Sequence, residues 1–294
     1  MARKDTILTF EEIMYLSEIF VSLGIEKIRL TGGEPLIRRD VHKLVGDLSG
    51  LKPKLRDLAL TTNGFDFPRH AIALKEAGLD RVTISLDSLK KDRFTEITGV
   101  DALERVLDAI RTAKESGFEP VKLNAVIVRG RNEDEIEDFA RFAREYNVSM
   151  RFIEFMPLDS GHEWSREMVV SGKEIRDAIS AVFPLRLKES DRGNETSWKY
   201  AFADGAPGEI GIIAPVTEMF CGQCSRIRLT ADGQIRTCLF SATEHNLRDL
   251  LRRGASRSEV VGFIEDTVMK KEPRHHINDA EFIQPARTMS FIGG

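Results

Sequence analysis

The chemistry-bearing residues of this 294-residue chain begin with its cysteines, Cys221, Cys224 and Cys238, which all lie in "FCGQCSRIRLTADGQIRTCLF". Their spacing is C-x2-C-x13-C. A C-x2-C turn brings two thiolates onto one metal centre. A hairpin over "RIRLTADGQIRTC", with Asp232-Gly233 at its turn, returns the third. The arrangement therefore points to metal binding. Structural zinc takes four ligands, and His245 could be the fourth. An iron–sulfur cluster could use three thiolates and leave one iron open to a ligand. Spacing leaves both metals open.

A second set of residues is cationic. Arg29, Lys122 and Arg151 fall inside β-rich runs, and Arg226 and Arg228 alternate in the expected hairpin, so they share a face. A charge inside a strand is costly unless it is paired. Either these five pair with Glu34, Asp87 or Glu154, or they form a cationic funnel for a phosphorylated ligand, which Arg and Lys suit by charge and geometry. The pair Gly32-Gly33 in "IRLTGGEP" would let a ligand approach the backbone closely.

These side chains need elements to hold them. Thr9 and Glu12 have capping-box spacing, and Phe10, Ile13, Met14, Ile19, Phe20 and Leu23 follow at helical spacing. Gly24 then stops the helix. The same phrase recurs at Gly78, at Gly117 and at Asn147, which takes the left-handed role of glycine. The pattern predicts strands near 27, 59, 83, 124 and 152. It predicts helices near 10–23, 41–49, 67–77, 101–115 and 133–145. Such alternation gives βαβ units and a parallel sheet, open or barrel-like. Each strand ends in a polar or glycine cluster, including Gly32-Gly33-Glu34, Thr61-Thr62-Asn63-Gly64, Ser85 to Ser88, Asn124 and Glu154. Five such endings favour a (β/α) barrel with one shared mouth. After about residue 157 the rhythm breaks, with a strand-like glycine-rich stretch over 197–217 and two helices near 245–253 and 257–270. We expect a barrel domain over 1–157 and a C-terminal domain over 158–294.

Composition is that of a soluble α/β protein, 41% hydrophobic and 31% charged, with a formal net charge of -4. No global basic field draws it to nucleic acid or a membrane surface. No apolar run reaches the roughly 18 residues of a membrane span. Scarce, odd-numbered cysteines exclude a disulfide framework and point to a reducing cytoplasm.

Several phrases together resemble a known family: "KIRLTGGEPLIRRD", "LALTTNG", "RVTISLDS", "PVKLNAVIVRG", "RFIEFMP", "GEIGIIAPVTEMFCGQCSRIRL", "CLF" and the terminal "MSFIGG". The chain resembles the GTP 3′,8-cyclases, radical S-adenosylmethionine (SAM) enzymes of molybdenum cofactor biosynthesis. The resemblance implies an incomplete six-stranded (β/α) TIM-like barrel, without its first strand, closed by a C-terminal iron–sulfur domain. It implies that Gly33, Ser85 and Met156 contact SAM. It implies that Arg29, Thr61, Lys122, Arg226 and Arg228 bind GTP, and that Cys221, Cys224 and Cys238 hold a 4Fe-4S cluster whose open iron meets guanine. Arg151, Gly293 and Gly294 would serve catalysis, the two glycines as a tail entering the site. The implied reaction converts GTP to 3′,8-cyclo-7,8-dihydro-GTP, using a 5′-deoxyadenosyl radical from SAM and an external reductant. The product would pass to cyclic pyranopterin monophosphate synthase, and the enzyme would be a homodimer.

One family feature has no counterpart here. The radical-generating 4Fe-4S cluster of the family sits on a C-x3-C-x2-C motif near the N-terminus, and this chain has no cysteine before Cys221. The expectation is that these residues belong to a longer cyclase and are inactive alone. The alternative is a non-catalytic protein that binds GTP and an iron–sulfur cluster, or zinc.

Overall fold

The computed structural model describes residues 4–158, 163–188 and 193–292. Eight strands form one sheet: β1 (Lys27–Leu30), β2 (Asp57–Thr62), β3 (Arg81–Ser85), β4 (Lys122–Ile127), β5 (Ser149–Glu154), β6 (Leu185–Leu187), β7 (Trp198–Phe202) and β8 (Glu209–Ile213). Their spatial order is β1-β2-β3-β4-β5-β8-β7-β6. The first five and β8 run parallel, while β7 is antiparallel to both of its neighbours, β8 and β6. The sheet thus continues past residue 157, and β1 lies at its edge.

Helices α1 (Phe10–Ser22), α2 (Val41–Ser49), α3 (Phe67–Glu76), α4 (Lys91–Thr98), α5 (Leu103–Glu115), α6 (Ile136–Tyr146) and α7 (Gly172–Val182) accompany the strands. The capping box forms as expected: Glu12 N donates to Thr9 Oγ1 at 3.1 Å, and Thr9 N to Glu12 Oε2 at 2.8 Å. Asn147 ends α6 in the left-handed region, φ 49°. Two helices run against expectation. The apolar periodicity of α4 is weak, with only Phe94 buried, and α7 lies after residue 157, where the sequence pattern predicts no further βα unit.

Strand alternation divides the sheet into two faces. One face carries Leu58, Leu60, Val82, Ile84, Leu123, Ala125, Met150, Phe152, Ile210 and Ile212, all buried in the main core with α2, α3, α5, α6 and α7. Burying such side chains is the largest favourable contribution to folding. The opposite face is polar.

The remaining chain forms a small sheet of β9 (Arg228–Leu229), β10 (Gln234–Arg236) and β11 (His245–Asn246), then α8 (Leu247–Arg252), α9 (Arg257–Met269) and α10 (Met289–Ile292). The hairpin forms with Gly233 at φ 77°. It is shorter than expected, so Arg226 precedes the strand that holds Arg228. A second core joins Leu8 and the α1 residues Leu16, Ile19 and Phe20 to Ile235, Leu247, Val260 and Ile264.

Candidate active site

Register assembles the polar face. Arg29 lies opposite Ala59, and Ala59 opposite Arg81. The next row runs Thr61, Thr83, Lys122, Ser149 and Glu209. The third runs Ser85, Asn124, Arg151, Gly211 and Lys199. Five cations from five strands therefore share one face: Arg29, Arg81, Lys122, Arg151 and Lys199.

Part of Arg29 is open at the sheet edge, but its guanidinium reaches inward, donating to Thr61 Oγ1 at 3.2 Å and Thr83 Oγ1 at 3.1 Å. Burial and the charge of Arg81 hold it below its ordinary value. Lys122 is 7% exposed. Burial, then Arg151, Arg81, Arg29 and Lys199, bring its ammonium down to about 7. Burial, then Arg29 and Arg81, bring Arg151 down to about 10, against the opposing charges of Glu209 and Glu195. Burial is the leading cause in all three, and the neighbouring cations add to it.

The carboxylates expected to neutralise them are engaged elsewhere. Glu34 accepts from Leu36 N at 3.0 Å, Thr62 Oγ1 at 2.9 Å and Asn63 N at 2.7 Å. This explains the Thr31–Pro35 ending of β1: Gly32, at φ 143°, turns the chain, and Glu34 fastens the turn to the end of β2. Asp87 accepts from Val126 N at 2.8 Å, and burial raises its carboxyl to about 6. Glu154 accepts from Gly172 N, Val216 N and Thr217 N. Among the described residues none of the three forms an ion pair. The carboxylates that do meet the row are Asp57, bound by Arg81, Glu195, whose Oε2 lies 2.5 Å from Lys199 Nζ, and Glu209, whose charge reaches Arg151 and Lys199.

At the C-terminal ends of the strands, Ser85 lies opposite Asn124, whose Oδ1 is buried with no protein partner. A carbon branch on Gly33 would sit 3.6 Å from the Ser290 carbonyl, so α10 closes over the glycine turn. Met156 packs in a third apolar cluster with Leu158, Phe240, Ile292 and Cys238. The side-chain-free turn at Gly33, the unsatisfied Asn124 acceptor and the Met156 thioether are each groups that a small polar cofactor such as SAM could meet. Gly293 and Gly294 lie outside the described residues.

The cysteine segment joins the same end of the molecule. All three thiols are unpaired and half-buried. Cys221 Sγ accepts from His275 N at 3.5 Å, and the His275 ring bonds the Pro215 carbonyl at 2.8 Å. Burial opposes ionisation of Cys224, but the backbone and guanidinium of Arg226, with Lys271, lower its thiol below the ordinary value. Cys238 is raised by burial. Arg228, half-buried, sits within electrostatic reach of Cys238, Cys224 and Arg226 and is brought down to about 10, chiefly by the part of it that is removed from water. Among the described residues no three His, Cys, Asp or Glu side chains converge closely enough to hold a single metal ion. His245 is on β11, across β10 from the strand of Arg228. Three thiols with cations around them suit an anionic thiolate-bound cluster.

Comparison with known proteins decides the family. The GTP 3′,8-cyclase of Streptomyces coelicolor is 42% identical over 99% of this chain and 85% of its own length. That of Rhodopirellula baltica is 43% identical over 99% of the chain and 82% of its own. This chain belongs to the GTP 3′,8-cyclase family. The Radical SAM superfamily profile matches residues 1–143, and the Molybdenum Cofactor Synthesis C profile residues 148–277. Molybdenum cofactor biosynthesis protein 1 of Drosophila melanogaster is 44% identical over 92% of the chain and 48% of its own length. Among solved structures, SuiB of Streptococcus suis shares the fold at TM-score 0.62 and 14% identity, over 98% of this chain and 70% of that one. Membership of the radical SAM superfamily brings a 4Fe-4S cluster and SAM as cofactors. No helix of the described residues is long and apolar enough to cross a membrane.

Within this cyclase-family chain, sequence reasoning located Arg29, Lys122 and Arg151 but missed Arg81, Lys199, Glu195 and His275. The period-two spacing of Arg81, Thr83 and Ser85 was a readable signal. Lys199 is placed only by its pairing with Gly211, which no local pattern reveals.

Proposed function

We infer that this protein performs the GTP 3′,8-cyclase reaction, converting GTP to 3′,8-cyclo-7,8-dihydro-GTP with SAM, the first step of molybdenum cofactor biosynthesis. The observation that carries this reading is the cation row of the polar face, where among the described residues five cations meet three carboxylates, Asp57, Glu195 and Glu209. A triphosphate supplies the missing negative charge. Arg29, Thr61 and Lys122 bind it from the sheet, and Arg226 and Arg228 from the cysteine segment. Arg151 lies one row nearer the strand ends, toward the SAM side, where Gly33, Ser85 and Met156 hold SAM. Cys221, Cys224 and Cys238 hold a 4Fe-4S cluster. When bound, the clusters and SAM supply the electron and radical chemistry, and the chain's own residues position GTP and exclude water. Gly293 and Gly294 act as the catalytic tail beyond α10. The same reading includes an external reductant, a homodimer in the cytoplasm and delivery of product to cyclic pyranopterin monophosphate synthase.

The 294 residues hold three cysteines, enough for one such cluster. A second cluster needs ligands from outside them. These residues alone are therefore expected to form no 5′-deoxyadenosine, and detectable product would refute that. Anaerobic reconstitution should load about four irons per chain. About one zinc and no iron would overturn the cluster assignment and leave a non-catalytic binding protein. Replacing Arg226 or Arg228 with Ala should weaken GTP binding at unchanged iron content, measured by calorimetry on the reconstituted chain.

A further inference from the structure

We propose that Glu195 is a built-in competitor for the phosphate chain: its carboxylate occupies one end of the cation row in the free protein, and a polyphosphate must displace it to bind. This rests on the reading of the polar face as the triphosphate site.

Five observations carry it. Glu195 Oε2 lies 2.5 Å from Lys199 Nζ, at the β7 end of the row. Its charge also reaches Lys122 and Arg151. It gets that reach because the β8 residue between Arg151 and Lys199 is Gly211, which has no side chain. A carbon branch there would come within 3.0 Å of Arg151 Cγ and 3.5 Å of Ser197. Arg151 therefore folds across Gly211 toward the foot of the Glu195 segment.

The second group of cations is equally close in the chain's layout. Asn194 Nδ2 donates to Ser225 Oγ at 3.2 Å, and Ser225 stands between Cys224 and Arg226. Glu195 is thus carried by a segment strung from the sheet face to the cysteine segment, where a phosphate chain spanning both would lie.

Finally, Glu195 is the acid on this face that can leave. Asp57 is 14% exposed and gripped through both oxygens by Arg81. Glu209 is held by Ser149 and Lys188, each at 2.8 Å. The Glu195 side chain is 43% exposed and has one ion pair among the described residues. Such a pair contributes little stability, so an anion of higher charge can replace it.

The test measures dissociation constants for GTP and guanosine, at fixed low salt, on the reconstituted chain and on Glu195→Gln, Glu195→Lys and Lys122→Ala. We expect Glu195→Gln to bind GTP about threefold to fivefold tighter and Glu195→Lys tighter still, with the gain fading as salt rises. Guanosine, which has no phosphate, should bind all of these alike. Melting temperatures should stay near the parent's, because the side chain is partly exposed. If Lys122→Ala weakens GTP binding while neither Glu195 variant tightens it, the competitor role is wrong and the site stands. A gain shared by guanosine also overturns it. If Lys122→Ala leaves GTP binding unchanged, the site reading fails, and this proposal with it.

Discussion

Lys122 shows what burial does to a cation that its surroundings do not neutralise. Unfolded, its ammonium stays protonated to about pH 10.4. Folded, burial and four neighbouring cations bring it down to about 7. The unfolded chain thus binds more protons than the folded one between these values, and this group makes stability rise as pH rises from about 7 toward 10. Binding runs the other way, because the triphosphate needs the charged form. GTP affinity should fall as pH rises through 7, by up to about tenfold per unit on account of this residue. Lys122→Arg keeps its charge over that range. It should flatten the profile when dissociation constants are compared from pH 6.5 to 8.5. A profile equally steep in the variant would remove Lys122 from the ligand.

At the scale of elements, the polar face depends on how β8 is seated. Asn147, the left-handed end of α6, accepts from Gly208 N at 3.0 Å, and Glu209 N donates to Val148 O at 3.1 Å. Gly208 itself stands at φ 89°, and a carbon branch on it would lie 2.3 Å from the Ala143 carbonyl oxygen. No side chain fits there, so glycine is required for β8 to enter beside β5. Gly208→Ala should cost roughly 2–3 kcal/mol, read as a lowered melting temperature. It should also weaken GTP binding, because the displaced strand carries Gly211 away from Arg151. A destabilised variant with unchanged affinity would show that the Gly211 gap is not what positions Arg151.

At the scale of the molecule, α1 is the keel on which the cysteine half rests. Its buried face shares a core with Ile235 of the hairpin and with α8 and α9. Around that core, Arg252 bonds Glu12 and the carbonyls of Asp5 and Ile7, and Leu8 N donates to Ala231 O. Arg287 pairs with Asp232 and Glu244, and Arg236, 2% exposed, with Glu244, tying the segment before α10 to the hairpin turn. Leu16→Ala, in α1 and far in sequence from every cysteine, should cost about 2–5 kcal/mol. It should also lower the iron retained after reconstitution. Full retention in a destabilised variant would mean that the cysteine segment holds its shape without α1.

Much of this was legible along the chain, for a physical reason. A capping box, a left-handed Asn147, a Gly32-Gly33 turn and the period-two placement of Arg29, Lys122 and Arg151 are decided by residues within a few positions of one another. The resemblance to the cyclases rests on such local phrases. The sequence therefore determined the elements, the family and the cysteine segment. Tertiary structure alone decided which charges face one another. Lys199 meets Arg151 across Gly211 because β8 inserts between β5 and β7, a pairing of segments far apart in sequence. Glu34, Asp87 and Glu154, the acids expected to pair with the cations, turn instead to backbone amides that only the folded chain brings to them. Buried polar groups must find partners wherever the fold puts them, so their pairing follows from topology and not from spacing.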